Sequence, residues 1–118
     1  MKHGEKDLFH GIEKYDNKKD ILKEILIQLE KDTGLDYTEI LISYDEPGFL
    51  EQLRLDLAEH IRKVAGQSQT RFMHLIYRTD ISQKKLGTLE MDASYFEKLS
   101  EMVLNRIFQK IITRKFFK

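Results

Sequence analysis

Leu50-Glu51-Gln52-Leu53-Arg54-Leu55-Asp56-Leu57-Ala58-Glu59-His60-Ile61-Arg62-Lys63-Val64 is the stretch whose reading decides the fold. Leu50, Leu53, Leu57, Ile61 and Val64 recur at spacings of 3, 4, 4 and 3. That is the repeat of one face of an α-helix, not the strict alternation of a half-buried strand. The acids of Asp45-Glu46-Pro47 suit the positive end of a helix dipole, and proline suits a first turn, so the spacing predicts a helix opening there. Gly66 reads as its stop.

The same period appears on both sides. Upstream, Ile21, Leu22, Ile25, Leu26 and Leu29 predict a helix from about Lys18 to Asp32, with Asn17 as cap and Gly34 as stop. Downstream, Phe72, Leu75, Ile76 and Thr79 fit a helix capped by Ser68 or Thr70, although their aromatic and β-branched content also suits a strand. Ser82 to Leu86 reads as one further turn closed by Gly87, and Thr88 to Ala93 as a loop. Ser94-Tyr95-Phe96-Glu97 has the form of a capping box. It opens the longest helix, with Phe96, Leu99, Val103, Ile107 and Ile111 as its main stripe and Leu104, Phe108 and Ile112 widening it. So wide an apolar face calls for burial on two sides, within the chain or across a dimer.

Two segments are harder to read. Residues 1–16 form a short first helix or a frayed arm. Residues 35–45 hold the strand-like Tyr37-Thr38-Glu39-Ile40-Leu41-Ile42-Ser43-Tyr44, but no second strong strand exists to pair with it, so an ordered connection or a short helical turn is preferred. The expectation is an all-α fold: one domain over 1–118, built as an irregular bundle of four to five helices.

Composition agrees. The 118 residues are 41% hydrophobic and 34% charged, with one proline and six glycines, a balance that favours amphipathic helices over many short strands. Basic and acidic side chains number 20 each, and a protein that coats nucleic acid usually carries a positive excess. Cysteine is absent, so no disulfide or thiolate chemistry exists. No apolar run approaches a membrane span, and the N-terminal residues lack the apolar core of a signal peptide, so a cytoplasmic protein is expected.

Signatures of chemistry are sparse. The histidines are His3, His10, His60 and His74, with neither His-Glu-x-x-His nor Glu-x-x-His spacing, so no metal site is expected. No glycine-rich phosphate loop and no nucleophile elbow occur, and no cofactor is expected. Asp56 and His60 lie four apart on the second helix, where a carboxylate can orient an imidazole or merely pair with it on a solvated surface. Tyr77, Arg78 and Asp80 put an aromatic, a cation and an acid at a helix end, a small polar site or a structural network. His74 and Arg78 share a solvated face.

Charge is segregated. Residues 30–59 hold nine acids against Lys31 and Arg54, a balance of −7. Residues 106–118 hold five bases and no acid. Arg106, Lys110, Arg114 and Lys118 are each four apart along the last helix. They complement the helix dipole, pair with the acidic second helix, or form a free basic surface for phosphate, lipid or a protein partner.

Ile61-Arg62-Lys63-Val64-Ala65-Gly66-Gln67-Ser68, followed by Phe72, Leu75 and Ile76, resembles the helix-turn-helix of DNA readers. It departs from that pattern at Arg62, where the motif has a small residue, and at Gln67, where it has an apolar one. The stretch His74-Leu75-Ile76-Tyr77-Arg78-Thr79-Asp80-Ile81-Ser82, with the basic last helix, is similar to small bacterial helical proteins with no known activity. The functional expectation is an interaction or adaptor protein, with itself among the candidate partners. Nucleic-acid binding through the last helix, with Arg62, Lys63 and Arg71 as additions, is the first alternative. A small enzyme using Asp56 and His60 or the Tyr77–Asp80 cluster is the second.

Overall fold

The computed structural model describes residue 9, residues 18–35 and residues 48–116. Within them lie five helices and no strand: α1 (Lys18–Thr33), α2 (Phe49–Gln67), α3 (Gln69–Arg78), α4 (Gln83–Leu86) and α5 (Tyr95–Phe116). The fold is an all-α bundle. Residues 1–8, 10–17 and 36–47 lie outside the described residues, and with them the Asn17 cap, the strand-like segment and nearly all of the N-terminal arm.

Each apolar stripe points inward. Ile21, Leu22, Ile25, Leu26 and Leu29 of α1 are buried, as are Leu53, Leu57, Ile61 and Val64 of α2. The last helix is the central element. It contributes seven buried apolar side chains (Tyr95, Leu99, Val103, Leu104, Ile107, Phe108 and Ile111) and packs against both α2 and α1. Its two-sided burial is thus met inside one chain. Phe9 is fully buried beside it, ring centroid 5.4 Å from that of Phe108, with its backbone N–H donating to Asn105 Oδ1 at 2.8 Å.

Helix ends differ from the sequence reading in three places. The second helix, expected to begin near Asp45–Pro47, has its first described helical residue at Phe49, and Asp45–Pro47 lie outside the described residues. Gly48 precedes it at φ 84, and its carbonyl accepts from Gln52 N–H. A side chain there costs about 1 kcal/mol or more. Gly66 does not stop this helix; the chain runs helically through it to Gln67. The break falls at extended Ser68, whose hydroxyl accepts from Arg71 N–H and so starts α3. A side-chain acceptor at the helix start outcompetes continuation of the previous helix. At α5 the capping box is not formed reciprocally: the Ser94 hydroxyl donates to Asp92 Oδ1 at 2.6 Å, and Glu97 accepts from Arg54. That hydrogen bond, with the one from Ser94 N–H, holds the Asp92 carboxyl below its ordinary pKa. The α3 cap at Ser68, the short turn from Gln83 to Leu86 and the close at Gly87 match the sequence reading.

Two polar locks fix the helices relative to each other. Arg54, buried on α2, meets Glu51, Glu97 and Glu101, and Ser100 Oγ donates to the Arg54 carbonyl at 2.7 Å. The Glu51 contact, reinforced by Glu97, raises the guanidinium pKa further, so the charge is permanent. Lys110 on α5 is the second lock. Its Nζ donates to Asp32 Oδ2 of α1 at 3.2 Å and to the Arg78 carbonyl of α3 at 3.0 Å. Among the described residues no buried side-chain polar atom lacks a partner.

Candidate functional site

The residues singled out in the sequence fall into three environments. Asp56 and His60 are hydrogen-bonded to different partners. Asp56 Oδ1 accepts from Gln52 Nε2 at 2.8 Å, while His60 Nε2 lies 2.6 Å from the Thr33 carbonyl. A carbonyl oxygen only accepts, so Nε2 carries the proton and the ring ties α2 to the end of α1. Gly34, at φ 83, turns the chain away immediately after that carbonyl.

Tyr77, Arg78 and Asp80 part company at the end of α3. Thr79 N–H and Asp80 N–H return to the carbonyls of Leu75 and Tyr77, and Asp80 adopts φ 60. This left-handed closure swings the Asp80 carboxylate to Arg106, whose Nη2 donates to Oδ2 at 2.6 Å. The Arg106 hydrogen bond holds the Asp80 carboxyl below its ordinary pKa. The pair sits in a cleft of about 230 Å³ that Ser82, Lys85, Met102 and Asn105 also line. That is below the roughly 300–1,000 Å³ of a typical small-molecule pocket. Tyr77 and Arg78 remain on the outer surface, with the Tyr77 side chain 87% exposed.

The basic stripe of α5 faces the rest of the fold. Arg106 pairs with Asp80, Lys110 with Asp32 and Lys115 with Glu24, and Arg114 Nη2 donates to Gln28 Oε1 at 3.1 Å. Lys118 lies outside the described residues. The partners come from α1 and from the turn after α3, not from the acidic second helix as the charge pattern suggests. The acids of that helix engage arginines on their own helix, Glu51 with Arg54 and Glu59 with Arg62.

The third environment was only partly visible in the sequence. From His60 to Thr79 the chain holds Arg62, Lys63, Arg71 and Arg78 and no acid at all. This stretch ends α2 and makes up α3. Phe72, Leu75 and Ile76 seat α3 on the core, leaving Gln69, Thr70, Arg71, His74, Tyr77 and Arg78 on its outer face. Among the described residues, no carboxylate pairs with Lys63, Arg71 or Arg78. Arg71 Nη1 donates instead to neutral Gln67 Oε1 at 3.1 Å, which joins the end of α2 to the face of α3. The available signal was the run without acids. It is overshadowed by the denser basic run of the last helix.

These features define a class: a helical bundle that offers a short, cation-bearing helix on its surface. The helix-turn-helix likeness maps onto this region, but one residue, Ser68, separates the helices, and Arg62 and Gln67 are exposed. No protein-family model, curated protein or solved structure matches the chain. Among the described residues, no group of three or more His, Asp or Glu side chains is placed to hold a metal ion, and no helix is long and apolar enough to cross a membrane.

Proposed function

We propose that this chain is a binding domain, and that it docks a polyanionic macromolecule on the outer face of α3. The observation that carries this reading is that Lys63, Arg71 and Arg78 have no carboxylate partner among the described residues and lie in a stretch, 60–79, that holds no acid. Elsewhere, Arg54, Arg62, Arg106, Lys110 and Lys115 each have a carboxylate partner within the chain. Arg114 bonds neutral Gln28 as Arg71 bonds Gln67, and lysines without an ion pair among the described residues, such as Lys31 and Lys98, stand beside acids in the sequence. A cation paired in the folded state offers a ligand little net field, whereas unpaired cations on one face focus it. The expectation that the last helix is the basic docking surface therefore moves to α3. An adaptor built by pairing the basic last helix with the acidic middle of a second copy loses most of its basic half.

Chromatography on immobilised heparin tests the reading, because a chain of zero formal net charge is retained only through a local patch. Retention at low salt is expected. It should be lost in Arg71→Glu/Arg78→Glu and kept in Arg114→Gln. Flow-through of the parent protein at low salt overturns the proposal.

A further inference from the structure

Resting on that reading, we infer that the polyanion is single-stranded nucleic acid, with phosphates on Lys63, Arg71 and Arg78 and a base stacked on Tyr77. Among the described residues Tyr77 is the most exposed of the large apolar side chains, at 87%. It lies one turn beyond His74 on the outer face and precedes Arg78, which sits about 100° further round the helix on the side shared with Arg71, so an exposed ring borders the arginine side of α3. A polyanion without flat groups would use the charges and leave the ring idle. An unpaired base uses both, since it stacks on aromatic and guanidinium planes while its phosphates meet the cations.

The other polyanions fit less well. Duplex nucleic acid keeps its base faces stacked inside the helix and gives Tyr77 nothing to stack on. An anionic membrane calls for an apolar face beside the basic one, but the apolar face of α3 (Phe72, Leu75 and Ile76) is buried in the core. A run of acidic residues supplies charge without an aromatic face to stack on Tyr77. The site is also held ready for use: Ser68 caps α3, three buried side chains anchor it, and Lys110 grips its last carbonyl. A rigid platform loses little freedom on binding.

Geometry sets the scale. Arg71 and Arg78 are seven residues apart, a rise of about 10 Å, so a strand makes only a few contacts. Three phosphate contacts imply a slope of log affinity on log salt of about −2 for a single strand.

The test is fluorescence anisotropy of the full chain with short labelled oligouridine and oligothymidine, near 50 mM salt where phosphate contacts are strong. Unlabelled duplex DNA, poly-glutamate and inorganic polyphosphate serve as competitors. Expected are saturable binding of a single strand, the shallow salt slope, and a loss of about tenfold in Tyr77→Ala that Tyr77→Phe restores. Melting curves confirm that the exposed substitutions leave the fold intact. If Tyr77→Ala binds like the parent while Arg71→Ala/Arg78→Ala does not, the patch is purely electrostatic and the inference falls, though the docking reading stands. Equal competition by duplex, by poly-glutamate or by polyphosphate also overturns it, in favour of that ligand. If neither oligonucleotide binds but heparin retains the protein, the inference alone fails; if heparin does not retain it either, both fail.

Discussion

The last helix and α3 both carry arginines or lysines at helical spacing, yet the fold treats them in opposite ways. On α5, Arg106, Lys110 and Lys115 meet Asp80, Asp32 and Glu24. On α3, Arg71 and Arg78 meet no acid among the described residues. The difference is one of position. The last helix runs through the middle of the bundle, so even its polar edge lies against neighbouring elements that carry carboxylates. The third helix is short and rests on the core by one side, and the sequence from His60 to Thr79 holds no acid. Basic residues mark a docking surface only when nothing in the same chain claims them first.

The comparison can be broken most severely at its foundation. Val103 is fully buried on α5, and Val103→Asp places an unpaired charge in the core. A loss of several kcal/mol is expected against the roughly 5–15 kcal/mol that holds a domain together, so the variant should fail to show a cooperative thermal transition. A parent-like melt would remove the central role of α5.

The next effect separates the two basic helices directly. As a residue of an exposed stripe, Lys110 should tolerate charge reversal. The structure corrects that expectation, because Lys110 is partly buried and joins Asp32 to the end of α3. Lys110→Glu sets two carboxylates against each other and should cost about 1–3 kcal/mol in urea unfolding. The matching change on α3, Arg78→Glu, should alter stability by less than about 0.5 kcal/mol. Equal costs would mean that both helices are used alike.

Acid should act on α5's side of the comparison. The Asp80 carboxyl has its pKa lowered by the Arg106 hydrogen bond. A carboxyl that binds protons less readily folded than unfolded adds stability above its unfolded pKa, and that stability fades as pH falls through the lower folded value. Part of the decline in melting temperature below about pH 4 should therefore vanish in Asp80→Asn, which keeps a residue tolerant of the left-handed backbone. An unchanged acid limb would show that the pair contributes nothing.

The smallest effect lies between the two helices. Gly66 is inside the last turns of α2, and a methyl group there meets no atom within 4 Å. Gly66→Ala should raise stability by about 0.5–1 kcal/mol and leave binding on α3 unchanged. Destabilisation would mean that the glycine is needed as the stop that its sequence position suggests.

What the sequence determined by itself is the set of helices and their inward faces. Leu53, Leu57, Ile61 and Val64, and likewise Leu99, Val103 and Ile107, are buried as their spacing requires, because periodicity is a local property. Ser68 and Gly87 were legible as boundaries for the same reason. The helix stop at Gly66 and the reciprocal cap at Ser94 were not, because competing hydrogen bonds decide them: the Ser68 hydroxyl accepts from Arg71 N–H, and Arg54 donates to Glu97 and draws it away. Only the tertiary structure decided which charges are free. Lys110 and Asp32 are 78 residues apart, and Arg106 and Asp80 are 26 apart. Charge interactions depend on distance through space, and chain spacing carries no record of that distance until the helices have packed.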